Sequence, residues 1–93
     1  MERLSRFAHL QGQPRRPTLD KIEGVEVVVR GAEMTEGRMG PYVIIEIEGE
    51  DGEPEFYQCS GKFVIDAFEE AIASDAFPCK ACFIRSGKAW IVT

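Results

Sequence analysis

Residues 25–34 read VEVVVRGAEM, and this stretch decides the fold because it is the strongest β-strand signal in the chain. Valine is enriched in strands, and the side chains of a strand alternate between its two faces. The face expected to enter the core carries three alternate valines, Val25, Val27 and Val29. Arg30 lies on the opposite face, and Gly31 interrupts the strand as at a bulge or sharp bend. The stretch therefore predicts a long first strand that curves.

The same alternation predicts four further strands, separated by turns rich in glycine and proline. They are expected at residues 42–48, 55–59, 79–85 and 89–93. In the second strand the core face is predicted to carry Val43, Ile45 and Ile47, and the outer face Tyr42, Ile44, Glu46 and Glu48. The turn at residues 35–41 presents Arg38 and Met39 at its tip, and residues 86–88 form a tight turn between the last two strands.

Apolar residues change to helical spacing between the third and fourth strands. Ser60 is predicted to be the N-cap of this helix, and Pro78 ends any continuation of it. The apolar stripe expected to face the core comprises Phe63, Val64, Ala67, Phe68, Ala71 and Ile72.

The predicted order of elements is β-β-β-α-β-β. Five strands with one helix between the third and the fourth resemble the OB-fold, a small five-stranded Greek-key barrel. We therefore expect an all-β fold with one helix, closed as an OB-fold barrel. The alternative that the pattern leaves open is a small α+β meander whose helix lies across one open sheet.

Charge is distributed unevenly along the 93 residues, whose net charge is −5. Residues 1–21 carry a net charge of +3 and residues 22–93 one of −8. We predict a basic, flexible N-terminal arm over residues 1–21 and an OB-fold domain over residues 22–93, a frayed terminus being the alternative for the arm. The acidic body argues against tight nonspecific binding to duplex phosphate. No membrane span or signal peptide is predicted, and we expect a cytoplasmic protein.

Three cysteines are present, Cys59, Cys79 and Cys82. Cys79 and Cys82 have the spacing of half a zinc site, but a structural site needs four ligands. On a strand, residues three apart point to opposite faces, which does not suit joint ligation. We therefore predict no metal, no cofactor and no structural disulfide.

A more particular resemblance lies in VVVRGAEMTEGRMGPYVIIEIEGEDGEPEFYQCSGKFVIDAFEEA, residues 27–71, followed by FPCKACFIRSGKAWIVT, residues 77–93. These stretches resemble small OB-fold, single-stranded-DNA-binding-like proteins of bacteriophages and mobile elements in strand order, loop placement and aromatic hairpin. The resemblance implies that a single strand binds across strands 2 and 3, flanked by the loops that join strands 1–2 and 4–5. The acidic body and the lack of an extended acidic tail depart from that pattern.

Single-strand binding needs aromatic faces for base stacking and basic groups along the phosphate path. The aromatic candidates are Tyr42, Phe56, Tyr57 and Trp90, of which Tyr42 and Tyr57 are expected to point outward. The other candidates are Arg30, Arg38, Met39, Arg85 and Lys88, with Lys62 and Lys80 as secondary ones. The structural alternatives are that the aromatic rings cover the barrel wall and that the basic groups are only solvated.

The sequence-based hypothesis is a largely sequence-independent single-stranded DNA-binding protein. An OB-fold protein-interaction module or assembly subunit, acting through the same face or the arm, is the first alternative, and an RNA-binding domain is the second. A homo-oligomer or a protein partner bound through the arm is compatible with each. The tripeptide SGK occurs at residues 60–62 and 86–88, but neither copy has the glycine spacing of a phosphate-binding loop, so we expect no enzyme activity.

Overall fold

The computed structural model describes residues 18–93. A 3-10 helix at Leu19–Ile22 precedes the β-sheet. The elements that follow are β1 (Glu26–Gly37), β2 (Gly40–Glu48), β3 (Pro54–Cys59), α1 (Lys62–Ala73), β4 (Cys79–Ser86) and β5 (Ala89–Val92). The predicted order of five strands and one α-helix is thus confirmed. Neither helix within residues 18–93 has the length and apolar character that a membrane crossing requires.

The five strands form one sheet in the order β3-β2-β1-β4-β5, and all neighbouring strands pair antiparallel. β3 and β5 are the two edges of this sheet, and no ladder joins them within the described residues. The sheet is therefore not closed into the expected barrel by hydrogen bonds.

β1 belongs to both halves of the sheet, and its bend lies where the sequence predicted it. The pairing register with β2 shifts between Val29 and Gly31, as expected of a β-bulge. Residues 26–29 pair with β4, whereas pairing with β2 runs from Val29 to Gly37. Val29 is thus opposite both Ile47 and Cys79.

The core lies between the inner face of the sheet and α1, and it includes one residue assigned above to the N-terminal arm. That residue, Leu19, is only 1% exposed, and Ile22, the first residue of the predicted domain, is buried with it. Val25, predicted to share the core face, is instead 52% exposed. The reason is that the chain turns at Gly24, with φ +76°, so that Val25 precedes the strand. The rest of the predicted arm, residues 1–17, lies outside the described residues.

The core face of α1 differs from the predicted stripe. Phe63 is 60% exposed and Ile72 is also exposed, whereas Val64, Ile65 and Phe68 are buried. The ring of Phe68 stacks with those of Phe77 and Phe83, each with its centroid 6.1 Å away and nearly parallel, and these contacts hold the helix with Phe68 toward the core. The N-cap is Gly61 rather than Ser60, and no side chain caps the helix.

Both faces of β2 are covered. Val43, Ile45 and Ile47 are buried as predicted, but Ile44 and Glu46, which were expected to face outward, are buried too. Ile44 is paired with Glu33 of β1 and with Gln58 of β3, so these two long side chains lie beside it on the outer face of the sheet.

Candidate nucleic-acid interface

An open groove of about 940 Å³ lies between the β1–β2 turn, the β4–β5 turn and the start of α1. Most of the residues selected from the sequence line it. They are Arg38, Met39, Tyr42, Arg85, Lys88 and Trp90. Two loops distant in sequence therefore form the rims of one groove, as the sequence analysis expected.

One wall is the tip of the β1–β2 hairpin. Gly37 and Gly40 are paired, so Arg38 and Met39 form a two-residue turn. Gly40 has φ +115°, a backbone conformation that a residue with a Cβ rarely adopts. Met39 is fully exposed, and Tyr42, half-buried, follows on β2. The wall thus presents a cation, an apolar side chain and an aromatic ring to the groove.

The opposite wall is the β4–β5 hairpin, in which Arg85 is paired across the strands with Trp90. The guanidinium carbon of Arg85 lies 4.7 Å from the centroid of the Trp90 ring, a cation–π contact. Nη2 of Arg85 also lies 3.1 Å from Oδ1 of Asp20, which the 3-10 helix brings to the groove. Lys88 is exposed in the turn beside Gly87, whose φ is +64°.

The start of α1 forms the third side of the groove. Lys62 lines it and pairs with Asp66, with Nζ 3.1 Å from Oδ2. The backbone N–H of Gly61 donates a hydrogen bond to Sγ of Cys59 at 3.3 Å. Burial raises the pKa of the Cys59 thiol, and the Gly61 N–H lowers it by a smaller amount. Cys59 is therefore a protonated, packed side chain here.

The groove is more positive than the rest of the described chain. Four basic side chains line it, Arg38, Lys62, Arg85 and Lys88, against three carboxylates, Asp20, Asp66 and Glu69, a net charge of +1. Arg85 and Lys62 are in ion pairs. Among residues 18–93, no ion pair is formed by Arg38 or Lys88, so within the groove these two cations can meet an incoming anion without first breaking one.

Two of the predicted aromatic residues do not line the groove. Tyr57 was expected to be exposed, and this is wrong, because it is only 5% exposed and belongs to the core. Its hydroxyl donates a 2.9 Å hydrogen bond to Oε1 of Glu55, which satisfies the polar end of the buried side chain. Burial and this carboxylate raise the pKa of Tyr57 to about 12. Phe56, on the other face of β3, is half-buried and also lies outside the groove.

Arg30 does not line the groove either. Its Nη2 lies 2.8 Å from Oε1 of Glu48 and donates to the backbone oxygen of Gly52 at 3.2 Å. The turn between β2 and β3 is at the opposite end of β2 from the groove, because β2 runs from Gly40 to Glu48. Arg30 therefore stabilises that acidic turn.

The sequence did not predict the three carboxylates of the groove, Asp20, Asp66 and Glu69, and it gave Lys62 only as a secondary candidate. The spacing of Lys62 and Asp66, four apart at the start of a helix, was a usable signal for an exposed ion pair. Asp20 carried no such signal, because its contact with Arg85 spans most of the described chain.

The three cysteines are free thiols, and no cluster of three or more His, Cys, Asp or Glu residues suited to a metal occurs in residues 18–93. No protein family, curated protein or solved structure matches the chain.

Proposed function

We propose that this protein binds single-stranded DNA in the groove between the two hairpins, largely independently of base sequence. The observation that carries the proposal is the arrangement of side chains there. Tyr42 and Trp90 lie on opposite walls, with Arg38 and Lys88 at the two turns. Base stacking on aromatic rings and basic groups along the backbone are what single-strand binding requires.

The proposal includes a fold assignment, an OB-fold related to the small single-strand-binding proteins of bacteriophages and mobile elements. The strand order and the position of α1 support it. The segment that follows β3 lies against β5, because a Cβ built on Gly61, the N-cap of α1, would lie 3.7 Å from Cβ of Trp90. We assign to this contact, and to the start of α1, the closure that hydrogen bonds between β3 and β5 provide in a complete barrel.

The distribution of charge supports an oriented and weak interaction. The chain as a whole carries −5, so its overall field repels a polyanion, while the groove carries +1. Attraction is therefore confined to the groove, and a rigid duplex brings more phosphate against the acidic surface than a flexible single strand does. We expect modest affinity that falls steeply as salt rises.

The direct test is the fluorescence anisotropy of end-labelled dT and rU strands of about 20 nucleotides, beside a duplex of the same length. Binding of the dT strand at about 20 mM salt, with weaker binding of the duplex, is expected. Tighter binding of the rU strand would assign the groove to RNA instead, and equal binding would show that the groove does not distinguish the two.

The role of the groove is tested by removing its two unpaired cations together. Arg38→Ala with Lys88→Ala should reduce the slope of log affinity against log salt by about 1.4, since each lost phosphate contact accounts for about 0.7. The matched control is Lys21→Ala with Lys80→Ala, which removes the same charge from exposed positions outside the groove. Equal losses in the two double variants would contradict binding in the groove.

The aromatic contribution is tested with Tyr42→Ala. Stacking of one base is worth about 1–3 kcal/mol, so the dT affinity should fall by about fivefold or more. The melting temperature should change little, because Tyr42 is outside the core cluster.

A protein-binding module is the second candidate, and the fully exposed Met39 at the hairpin tip favours it. Failure of the folded wild-type protein to bind any of the three nucleic acids at about 20 mM salt would leave this candidate in place of the first.

A further inference from the structure

Arg85, the groove cation that contacts both an aromatic ring and an acid, is paired with a carboxylate of the chain itself, that of Asp20. Asp20 Oδ1 lies 3.1 Å from Nη2 of Arg85, and Asp20 Oδ2 accepts a 2.8 Å hydrogen bond from Oγ1 of Thr18. Arg85 in turn stacks on Trp90. Asp20, Arg85 and Trp90 all line the groove, so the pair lies in the path proposed for the single strand.

We propose that Asp20 takes the place of a ligand phosphate on Arg85, and that binding of a single strand exchanges one anion for the other. This inference rests on the proposed function and concerns how the same groove selects its ligand. Asp20 is thus a specificity-determining residue that lowers the affinity of the empty groove for anions.

The ion pair between Arg85 and Asp20 is weak enough for a phosphate to replace the carboxylate. The side chains of Arg85 and Asp20 are 47% and 59% exposed, and ion pairs this exposed are weak. A phosphate, like a carboxylate, can present two oxygens to the guanidinium of Arg85, so it can replace the carboxylate as a partner. The backbone of Asp20 is held in place, because Leu19 and Ile22 of the same 3-10 helix are buried in the core. Asp20 therefore cannot stay paired with Arg85 if the guanidinium moves away toward a ligand.

The exchange favours a polymer over a small anion. A free phosphate that displaces Asp20 gains only the contact with Arg85, which the carboxylate already provided. A single strand also reaches Arg38 and Lys88, for which no ion pair has to be broken among the described residues. Asp20 therefore lowers the affinity of the groove for single anions more than it lowers the affinity for a strand with several connected phosphates.

The salt dependence should carry a signature of the exchange. A phosphate neutralised by Arg85 releases a cation from the strand, while the displaced Asp20 carboxylate regains one from solution. The second effect offsets only part of the first, because a single carboxylate holds far fewer counterions than a polyanion does, so in the wild type this contact contributes less than a full phosphate to the salt slope. Without the Asp20 charge the slope should steepen, by at most about 0.7, the value for one phosphate of a single strand.

The test compares Asp20→Asn with Glu69→Gln in the full chain, using the dT strand as the probe. Both variants remove one negative charge from the groove lining without changing side-chain size. Asp20→Asn should bind dT about three- to fivefold more tightly and with the steeper salt slope, as expected from losing a weak exposed pair. Glu69→Gln should give a smaller gain and an unchanged slope.

A double-mutant cycle shows whether Asp20 acts through Arg85. In an Arg85→Ala background, Asp20→Asn should improve dT binding no more than Glu69→Gln does, because the cation that it frees is gone. A persistent extra gain there would overturn the inference, and so would equal effects of the two single variants.

Two other results have distinct meanings. Weaker dT binding by a folded Asp20→Asn protein would show that Asp20 positions Arg85 for the ligand, which also overturns the exchange. Absence of dT binding by the wild type and by Asp20→Asn at about 20 mM salt would overturn the proposed function itself. Thermal melts establish that each variant is folded before its affinity is interpreted.

Discussion

The ring of Tyr42 lies against Gly37, across the tip of the β1–β2 hairpin. A Cβ added at Gly37 would be 3.0 Å from Cε1 of Tyr42 and 3.2 Å from Cδ1. The missing side chain of Gly37 therefore leaves the space that the ring occupies beside the groove. These distances are tighter than most real Cβ contacts, so a larger residue at position 37 must push the ring away by a few tenths of an ångström.

Gly37→Ala should lower dT affinity although it removes no groove side chain. Displacing the Tyr42 ring loses part of its stacking, which we expect to weaken binding by about three- to tenfold. Anisotropy titrations measure the change. The control is Gly61→Ala, which adds the same methyl group to the groove at ordinary distances, 3.5 Å from Sγ of Cys59. If Gly37→Ala binds like the wild type, Tyr42 does not stack on the ligand.

Arg30 and Arg38 should have different roles, one in stability and the other in binding, although the sequence predicted both as phosphate contacts. Arg38→Ala should reduce the salt slope by about 0.7, because it removes one phosphate contact of the proposed binding mode. Arg30→Ala should leave the slope unchanged and destabilise the β2–β3 turn, where Arg30 contacts Glu48 and Gly52. Salt titrations and urea unfolding of both variants measure the two effects. A reduced slope in Arg30→Ala would place the ligand on a different surface.

The contrast between these two arginines shows what the sequence can predict about a side chain and what it cannot. Alternation put Arg30 on the outer face of β1, but it could not show that Glu48 was the partner. The choice between Phe56 and Tyr57 failed for a similar reason. Adjacent residues on a strand face opposite ways, and a tyrosine can be buried once its hydroxyl finds an acceptor such as Glu55. Strand positions, the bulge and the convergence of the two loops were predictable because they depend on local patterns and known connectivity.

Phe68→Ala should destabilise the protein far more than Phe63→Ala. Phe68 is buried and stacked with two other rings, and truncation of such a residue costs about 3–5 kcal/mol. Phe63 is mostly exposed, so its loss should cost less than about 1 kcal/mol. Urea unfolding followed by circular dichroism gives both free energies. Comparable losses would restore the stripe predicted from helical spacing, in which Phe63 also faced the core.

The stability of the protein should fall between pH 10 and 12 because of Tyr57. Its pKa is raised to about 12 in the folded state, against 10.0 for an ordinary tyrosine. The neutral phenol is favoured by folding, so this stabilisation is complete below the lower value and is lost as pH rises through the higher one. Tyr57→Phe should be less stable than the wild type near neutral pH and should lack the part of the alkaline loss due to this group.

The titration itself can be observed in a variant with one tyrosine. Tyr42→Phe leaves Tyr57 as the single phenol, because the chain has two tyrosines. Ultraviolet absorbance of the phenolate in the folded protein should then rise with a midpoint near 12. A midpoint near 10, the ordinary value, would contradict the burial of Tyr57 and its bond to Glu55.

The bulge in β1 separates the two walls of the groove. Residues 26–29 of β1 pair with β4, and residues 31–37 pair with β2, so each wall is attached to a different half of one strand. Val29 joins the two halves, because it pairs with both Ile47 and Cys79. The angle between the two hairpins therefore depends on the backbone between Val29 and Gly31. A substitution there could change the width of the groove without touching any residue that lines it.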